Sequence, residues 1–171
     1  MDRLWTPWRL DYVTGAASDE SADCVFCGVS GEDVSESLLL HRGSSMFVIL
    51  NKYPYNNGHL MVVPFRHIGR MADASSEELG ELIRLVRISE MVLTEAYDAH
   101  GINVGINLGR VAGAGVPGHM HVHLVPRWQG DTNFMSVVGN TRVVPEEPAD
   151  SIKRLKPIFQ KLVTAEQVKK L

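Results

Sequence analysis

Helical periodicity of useful length occurs once in this chain, over residues 76–99, and short strand-like segments lie on both sides of it. Leu79, Leu82, Ile83, Val86, Leu93, Ala96 and Tyr97 recur at three- and four-residue spacing, which puts them on one stripe of an α-helix. Ser75 and Glu78 supply a capping box at its start, and Gly101 is the expected stop. Before the helix, Leu38–His41 and Met46–Leu50 read as strands joined by the turn Arg42-Gly43-Ser44-Ser45. A loop from Asn51 through Pro54 to the turn pair Asn57-Gly58 leads into a third strand, His59–Pro64. After the helix, Ile102–Leu108 alternates like a strand, a glycine-rich loop runs from Gly109 to Gly118, and Met120–Val125 forms a last strand ended by Pro126. Strands grouped around one long helix, with hairpin-length links, predict an α+β fold with an antiparallel sheet of about five strands. A doubly wound parallel sheet needs more crossover helices. The segment from Ser151 is weakly amphipathic, and Pro157 is expected to limit any long helix there.

With 171 residues the chain fits a single domain, its core over about 24–128, with an N-terminal segment 1–23 and a C-terminal extension 129–171. Hydrophobic residues at 44% and charged residues at 22% fit a globular protein, and no apolar run reaches the roughly 20 residues that span a bilayer. The start, MDRLWTPWRLDYV, lacks the pattern of a signal peptide, so a cytoplasmic protein without membrane contact is expected. A net charge of −3 argues against a nucleic-acid polymer as partner, but leaves room for a small phosphorylated ligand held by backbone N–H groups. Trp5 and Trp8 are expected to pack on the body or on a second subunit. Cys24 and Cys27 form a C-x-x-C pair, which in a reducing compartment points to half of a metal site or a redox pair. The redox reading is the weaker, because a polar stretch follows Gly28 where a helix should open after a strand.

The chemistry concentrates in Gly118-His119-Met120-His121-Val122-His123. On a strand His119, His121 and His123 share one face, while Met120, Val122 and Leu124 point to the core. Three of the chain's seven histidines at strict period two, beside a glycine-rich loop, make an incidental polar face a poor explanation. Imidazole is a good nucleophile when neutral and also a common zinc ligand, so a nucleophilic site and an all-histidine metal site both stand on these residues alone. The loop's glycines, among them Gly113 and Gly115, let the backbone approach a phosphate.

The pattern resembles the histidine-triad superfamily, whose signature is His-x-His-x-His followed by two apolar residues, here extended by Pro126. The likeness covers roughly residues 24–128. Trp5-Thr-Pro-Trp-Arg9, Pro126-Arg127-Trp128 and Gly130-Asp131-Thr132-Asn133-Phe134 are similar to the diadenosine tetraphosphate phosphorylase and hydrolase-like branch. The resemblance implies that His121 attacks the α-phosphate of a nucleotide and carries a nucleotidyl-histidine intermediate, assisted by His123 and His59. It assigns Asn51 to the ribose hydroxyls, Asn107 to phosphate or ribose, and Gly113 and Gly115 to the phosphate loop; Phe47 and Leu50 are candidates for an apolar base pocket, with ordinary core as the alternative. Relatives often carry a polar phosphate contact where this chain has Val116-Pro117. The resemblance also implies a structural zinc held by Cys24, Cys27, His67 and His119, with His41 as the alternative ligand, and a homodimer formed through the long helix and an edge strand. The functions to be weighed are therefore an enzyme cleaving dinucleoside polyphosphates or nucleoside phosphoramidates, a non-catalytic nucleotide-binding zinc protein, and a hydrolase with water on zinc.

Overall fold

A computed structural model describes residues 24–30, 38–131 and 146–168. Its elements are α1 (Val25–Ser30), β1 (Leu39–Arg42), β2 (Met46–Leu50), β3 (Leu60–Pro64), α2 (Ser76–Tyr97), β4 (Gly101–Ile106), β5 (Val122–Arg127) and α3 (Pro148–Val168), with 3₁₀ turns at Met71–Asp73 and Arg110–Ala112. The strands form one antiparallel sheet in the order β1-β2-β3-β5-β4. The expected five-stranded α+β architecture is present. The N-terminal Trp5-to-Arg9 motif and residues 132–134 lie outside the described residues.

Strand alternation divides the interior in two. Met46, Val48, Leu50, Leu60, Val62, Val122 and Leu124 turn to the face covered by α2 and α3. Leu39, Phe47, Ile49, Met61 and Val63 turn to the other face, where α1 brings Phe26 and Val29 onto them. α2 begins as the sequence indicates. Ser75 accepts from the Glu78 N–H while the Glu78 carboxylate accepts from the Ser75 N–H. It ends earlier than Gly101, at Asp98, which takes the left-handed conformation (φ 48°) that Asp tolerates, and Gly101 instead opens β4.

Two proline expectations are corrected. α3 runs through Pro157, which is exposed, so the carbonyl left without its N–H donor can face water. Leu155, Phe159 and Val163, spaced by four and buried, set α3 against the sheet and α2. Burial of each contributes about 1.5–3 kcal/mol, enough together to outweigh the roughly 3 kcal/mol that an interior proline costs. Glu166 clasps Arg84 and Arg87 of α2, and Lys161 meets Glu95 at 2.9 Å. Pro126 does not end the last strand; it pairs with Ile102 inside β5. β3 has already stopped at that level, its pairing with β5 covering only Val122 to Leu124. The free side is taken by Asn56, whose Nδ2 donates to the Pro126 carbonyl at 3.1 Å, so the missing N–H breaks no ladder bond.

Candidate active site and metal cluster

β5 starts at Val122, so His119 and His121 lie in the extended approach to it and His123 lies within the sheet, opposite Met61 and Gly105. The approach is held by Met120, whose N–H donates to the Ile68 carbonyl at 2.7 Å. Gly69 allows this: a Cβ there would sit 2.9 Å from the Pro117 carbonyl oxygen. The contact draws the segment carrying His67 against the triad, with the His67 and His119 rings 5.1 Å apart and nearly perpendicular.

His119 is fully buried, and burial lowers its pKa to about 4 against the opposing pull of its bond to the Pro64 carbonyl. That bond, Nε2 to oxygen at 2.8 Å, puts the ring proton on Nε2, because a carbonyl only accepts. Nδ1 is thereby left with its lone pair, and it faces Cys24 Sγ at 3.3 Å and Cys27 Sγ at 3.6 Å. His67 Nδ1 lies 3.2 Å from Cys27 Sγ, and the four ligand atoms all fall within 4.8 Å of one another. A tetrahedral zinc with sulfur at about 2.3 Å and nitrogen at about 2.1 Å sets sulfur–nitrogen edges near 3.6 Å, so the donor set fits that ion. Burial and the neighbouring Cys24 push the Cys27 thiol up to about 11, a thiol that only a cation would hold as thiolate at neutral pH. The four residues named from the resemblance are the ones brought together. His41, the alternative ligand, is not among them: it stacks on Phe159 of α3 at 5.3 Å.

His121 is buried, and its Nδ1 lies 2.9 Å from the His119 carbonyl. The carbonyl again dictates the tautomer: Nδ1 carries the hydrogen and Nε2 the lone pair. Burial lowers the pKa, with the carbonyl bond opposing, so the ring is neutral and nucleophilic near pH 7. Phe26 packs on it at 4.9 Å and on His119 at 5.4 Å. The sequence reading did not single out Phe26, though its place between the two cysteines was the available clue.

The third triad member belongs to a second chain of donors. The Tyr55 N–H points at His59 Nδ1 (3.1 Å), which must therefore accept. The His59 proton then sits on Nε2, 2.9 Å from His123 Nδ1. A neutral His123 consequently carries its own proton on Nε2. His59 is fully buried, and the His123 ring lies 4.8 Å from that of His121. Tyr55, also unanticipated, tilts its ring against His59 at 4.7 Å and His123 at 6.0 Å.

Asn51 sits beside this group, its Nδ2 3.4 Å from His59 Nδ1 and its Oδ1 accepting from the Tyr53 N–H. Asn107 donates to the Gly113 carbonyl at 3.3 Å, and Gly113, at φ 90°, closes the 3₁₀ turn of the glycine-rich loop; Gly115 follows, half-buried. Neither apolar candidate lines an open pocket: both are buried core side chains, Phe47 on the histidines' face of the sheet and Leu50 beneath α2. Among the described residues no helix is long and apolar enough to cross a membrane.

Known proteins match this arrangement. The AP-4-A phosphorylase of Mycobacterium tuberculosis is 38% identical over 161 residues, covering 91% of this chain and 83% of that one. The asymmetrical bis(5'-nucleosyl)-tetraphosphatase of Schizosaccharomyces pombe is 35% identical over 95 residues, 56% of this chain and 52% of its own length. The crystal structure of a Zn-bound histidine triad family protein from Mycobacterium smegmatis superposes with a TM-score of 0.70 at 25% identity, covering 85% of this chain and 99% of that one. The HIT domain model matches residues 32–130, more than half of the chain and the stretch that holds His59, His67 and all three triad histidines, so the chain belongs to the HIT family.

Proposed function

We propose that this chain cleaves dinucleoside polyphosphates such as diadenosine tetraphosphate, through a nucleotidyl-histidine intermediate on His121. The observation that carries the reading is the His121–His119 carbonyl bond of 2.9 Å, which holds the proton of the neutral ring on Nδ1 and leaves the Nε2 lone pair oriented for attack. In the first step the Nε2 lone pair attacks the α-phosphorus. An N–P bond forms, the P–O bond to the polyphosphate breaks, and that oxygen keeps its electron pair. The His123 N–H, set by His59 and the Tyr55 N–H, donates to an oxygen as its charge grows. In the second step water or inorganic phosphate attacks the same phosphorus, an O–P bond forms and the N–P electrons return to Nε2. Where water attacks, its proton passes to solvent. Asn51 serves the ribose, and Asn107 with Gly113 and Gly115 serves the phosphates.

Cys24, Cys27, His67 and His119 hold one zinc in this reading. With four protein donors, a bound zinc would supply cohesion to α1 and the triad approach rather than a reactive water. Thiolate ligation suits a reducing compartment, the cytoplasm. The active form is a homodimer, supported by the exposed apolar side chains of Ile83 on α2 (64%) and Val104 on the edge strand β4 (51%). Products of diadenosine tetraphosphate incubation, with and without phosphate, test the function. ADP plus ATP marks phosphorolysis and AMP plus ATP hydrolysis. Binding without product refutes the enzymatic reading in favour of a nucleotide-binding module.

A further inference from the structure

The loop between β2 and β3 displays two aromatic rings, and that of Tyr55 lies beside the histidines. Tyr53 is 65% exposed and Tyr55 40%. The Lys52 ammonium lies 5.7 Å from the centre of the Tyr53 ring. The loop is braced. Asn51 N–H donates to the His59 carbonyl at 2.8 Å, and the Asn51 side chain holds the Tyr53 N–H. Asn56 bonds across to Pro126 and to Asp131, and its carbonyl takes the His59 N–H. Pro54, between the tyrosines, restricts the backbone further. Single exposed apolar side chains need no explanation. The Tyr55 ring, fixed on a braced loop against His59 and His123 and still partly exposed, has the size and polarity that a purine stacks on.

A dinucleotide substrate poses the problem that such a surface solves. With the α-phosphate of one nucleotide at His121, the other nucleoside departs with the polyphosphate and must be held elsewhere until the P–O bond breaks. We propose that Tyr55 is the platform for this second nucleoside, with Lys52 beside Tyr53 meeting the polyphosphate, and that the loop sets the preference for dinucleoside over mononucleoside substrates. The proposal rests on the reading that the chain cleaves such dinucleotides. Stacking on a phenol ring tolerates any base, so the platform selects for a second nucleoside without selecting its identity.

The test compares kcat/KM for diadenosine tetraphosphate with that for adenosine 5'-phosphoramidate, which offers the same adenylyl group and no second nucleoside. The ratio of the two, taken within each protein, cancels any disturbance of His59 and His123 common to both substrates. In Tyr55→Leu the ratio should fall about tenfold or more, the size of a lost base–aromatic stack, and in Tyr55→Phe it should stay within about twofold. An unchanged ratio in Tyr55→Leu, or an equal fall in Tyr55→Phe, overturns the platform. A wild type that turns over neither substrate defeats the proposed function instead. Should Tyr55→Leu fail to fold, NMR of the His121→Ala protein decides. Diadenosine tetraphosphate must shift the Tyr55 ring resonances and AMP must not; the absence of that difference overturns the proposal.

Discussion

Replacing His59 by Phe tests whether the histidines work as an ordered chain of donors. Phe keeps a ring in a fully buried position and removes both nitrogens. The Tyr55 N–H loses its acceptor at 3.1 Å and His123 Nδ1 its donor at 2.9 Å. An unsatisfied buried polar group costs ~1–3 kcal/mol, and because Tyr55 and His123 both retain access to solvent the lower end applies, about 2 kcal/mol for the pair. At ~2–4 °C per kcal/mol for a chain of this length, Tm should drop by about 4–8 °C. The catalytic loss separates two roles. If His59 only selects the His123 tautomer, two near-equal tautomers halve the competent population, a loss of about twofold. If it also aims the ring at the reacting oxygen, part of the ~10²–10⁴-fold worth of proton-transfer assistance goes as well. A bonded, buried partner at 2.9 Å does both, so kcat for diadenosine tetraphosphate should fall about 10- to 100-fold. Steady-state kinetics gives the rate, and ¹⁵N NMR of the imidazoles gives the tautomer. A kcat within about twofold of wild type, with His123 still protonated on Nε2, would refute the relay.

Four further outcomes follow from the same geometry. His121→Ala should lose ~10⁴-fold or more in kcat with nucleotide affinity nearly intact, since the missing bond forms only along the reaction path, and brief quenching with labelled dinucleotide should trap an acid-labile adduct in wild type alone. Metal analysis should give one zinc per chain and well under one in Cys24→Ser; free zinc at a hundredfold excess over its Kd should raise the stability of metal-stripped protein by about 2.7 kcal/mol, read as a higher Tm. Sedimentation at micromolar concentration should find about twice the 18.9 kDa chain mass, falling toward the monomer in Val104→Glu. The bond from Arg66, joined by the Ser75 N–H, holds the Glu78 carboxyl down at about 2. Its contribution is thus complete above pH ~5 and fades as pH falls toward 2, so the Tm gap between wild type and Glu78→Gln should narrow on acidification and not widen.

The parts of this molecule that follow local rules were legible in the sequence. The capping box at Ser75 and Glu78, the short apolar run Met46–Leu50 and the period-two histidines each depend on neighbours a few residues away. What was not legible depends on distant partners. Pro157 reads as a helix breaker until the burial of Leu155, Phe159 and Val163 under the sheet is known. Pro126 reads as a strand end until Asn56 is seen to cover the side from which β3 has withdrawn. Leu50 and Phe47 look equivalent as pocket candidates, and only the pairing register separates their faces. At the site, motif position named the four clustered donors, whereas Phe26 and Tyr55 carry no motif and emerge only from the packing of α1 and the bracing of the β2–β3 loop.

The family match stops at residue 130, yet the hydrophobic core does not. Leu155, Phe159 and Val163 join Leu40 and Val48 of the sheet and Leu85 of α2 in one buried cluster, and His41 stacks on Phe159. Anyone excising this protein at the family boundary for expression or fusion would strip that covering. The shortened polypeptide would present a greasy sheet face to other copies and collect as aggregate, whatever the integrity of its histidines. The minimal unit worth cloning therefore reaches at least to Glu166, whose carboxylate fastens the end of α3 to Arg84 and Arg87.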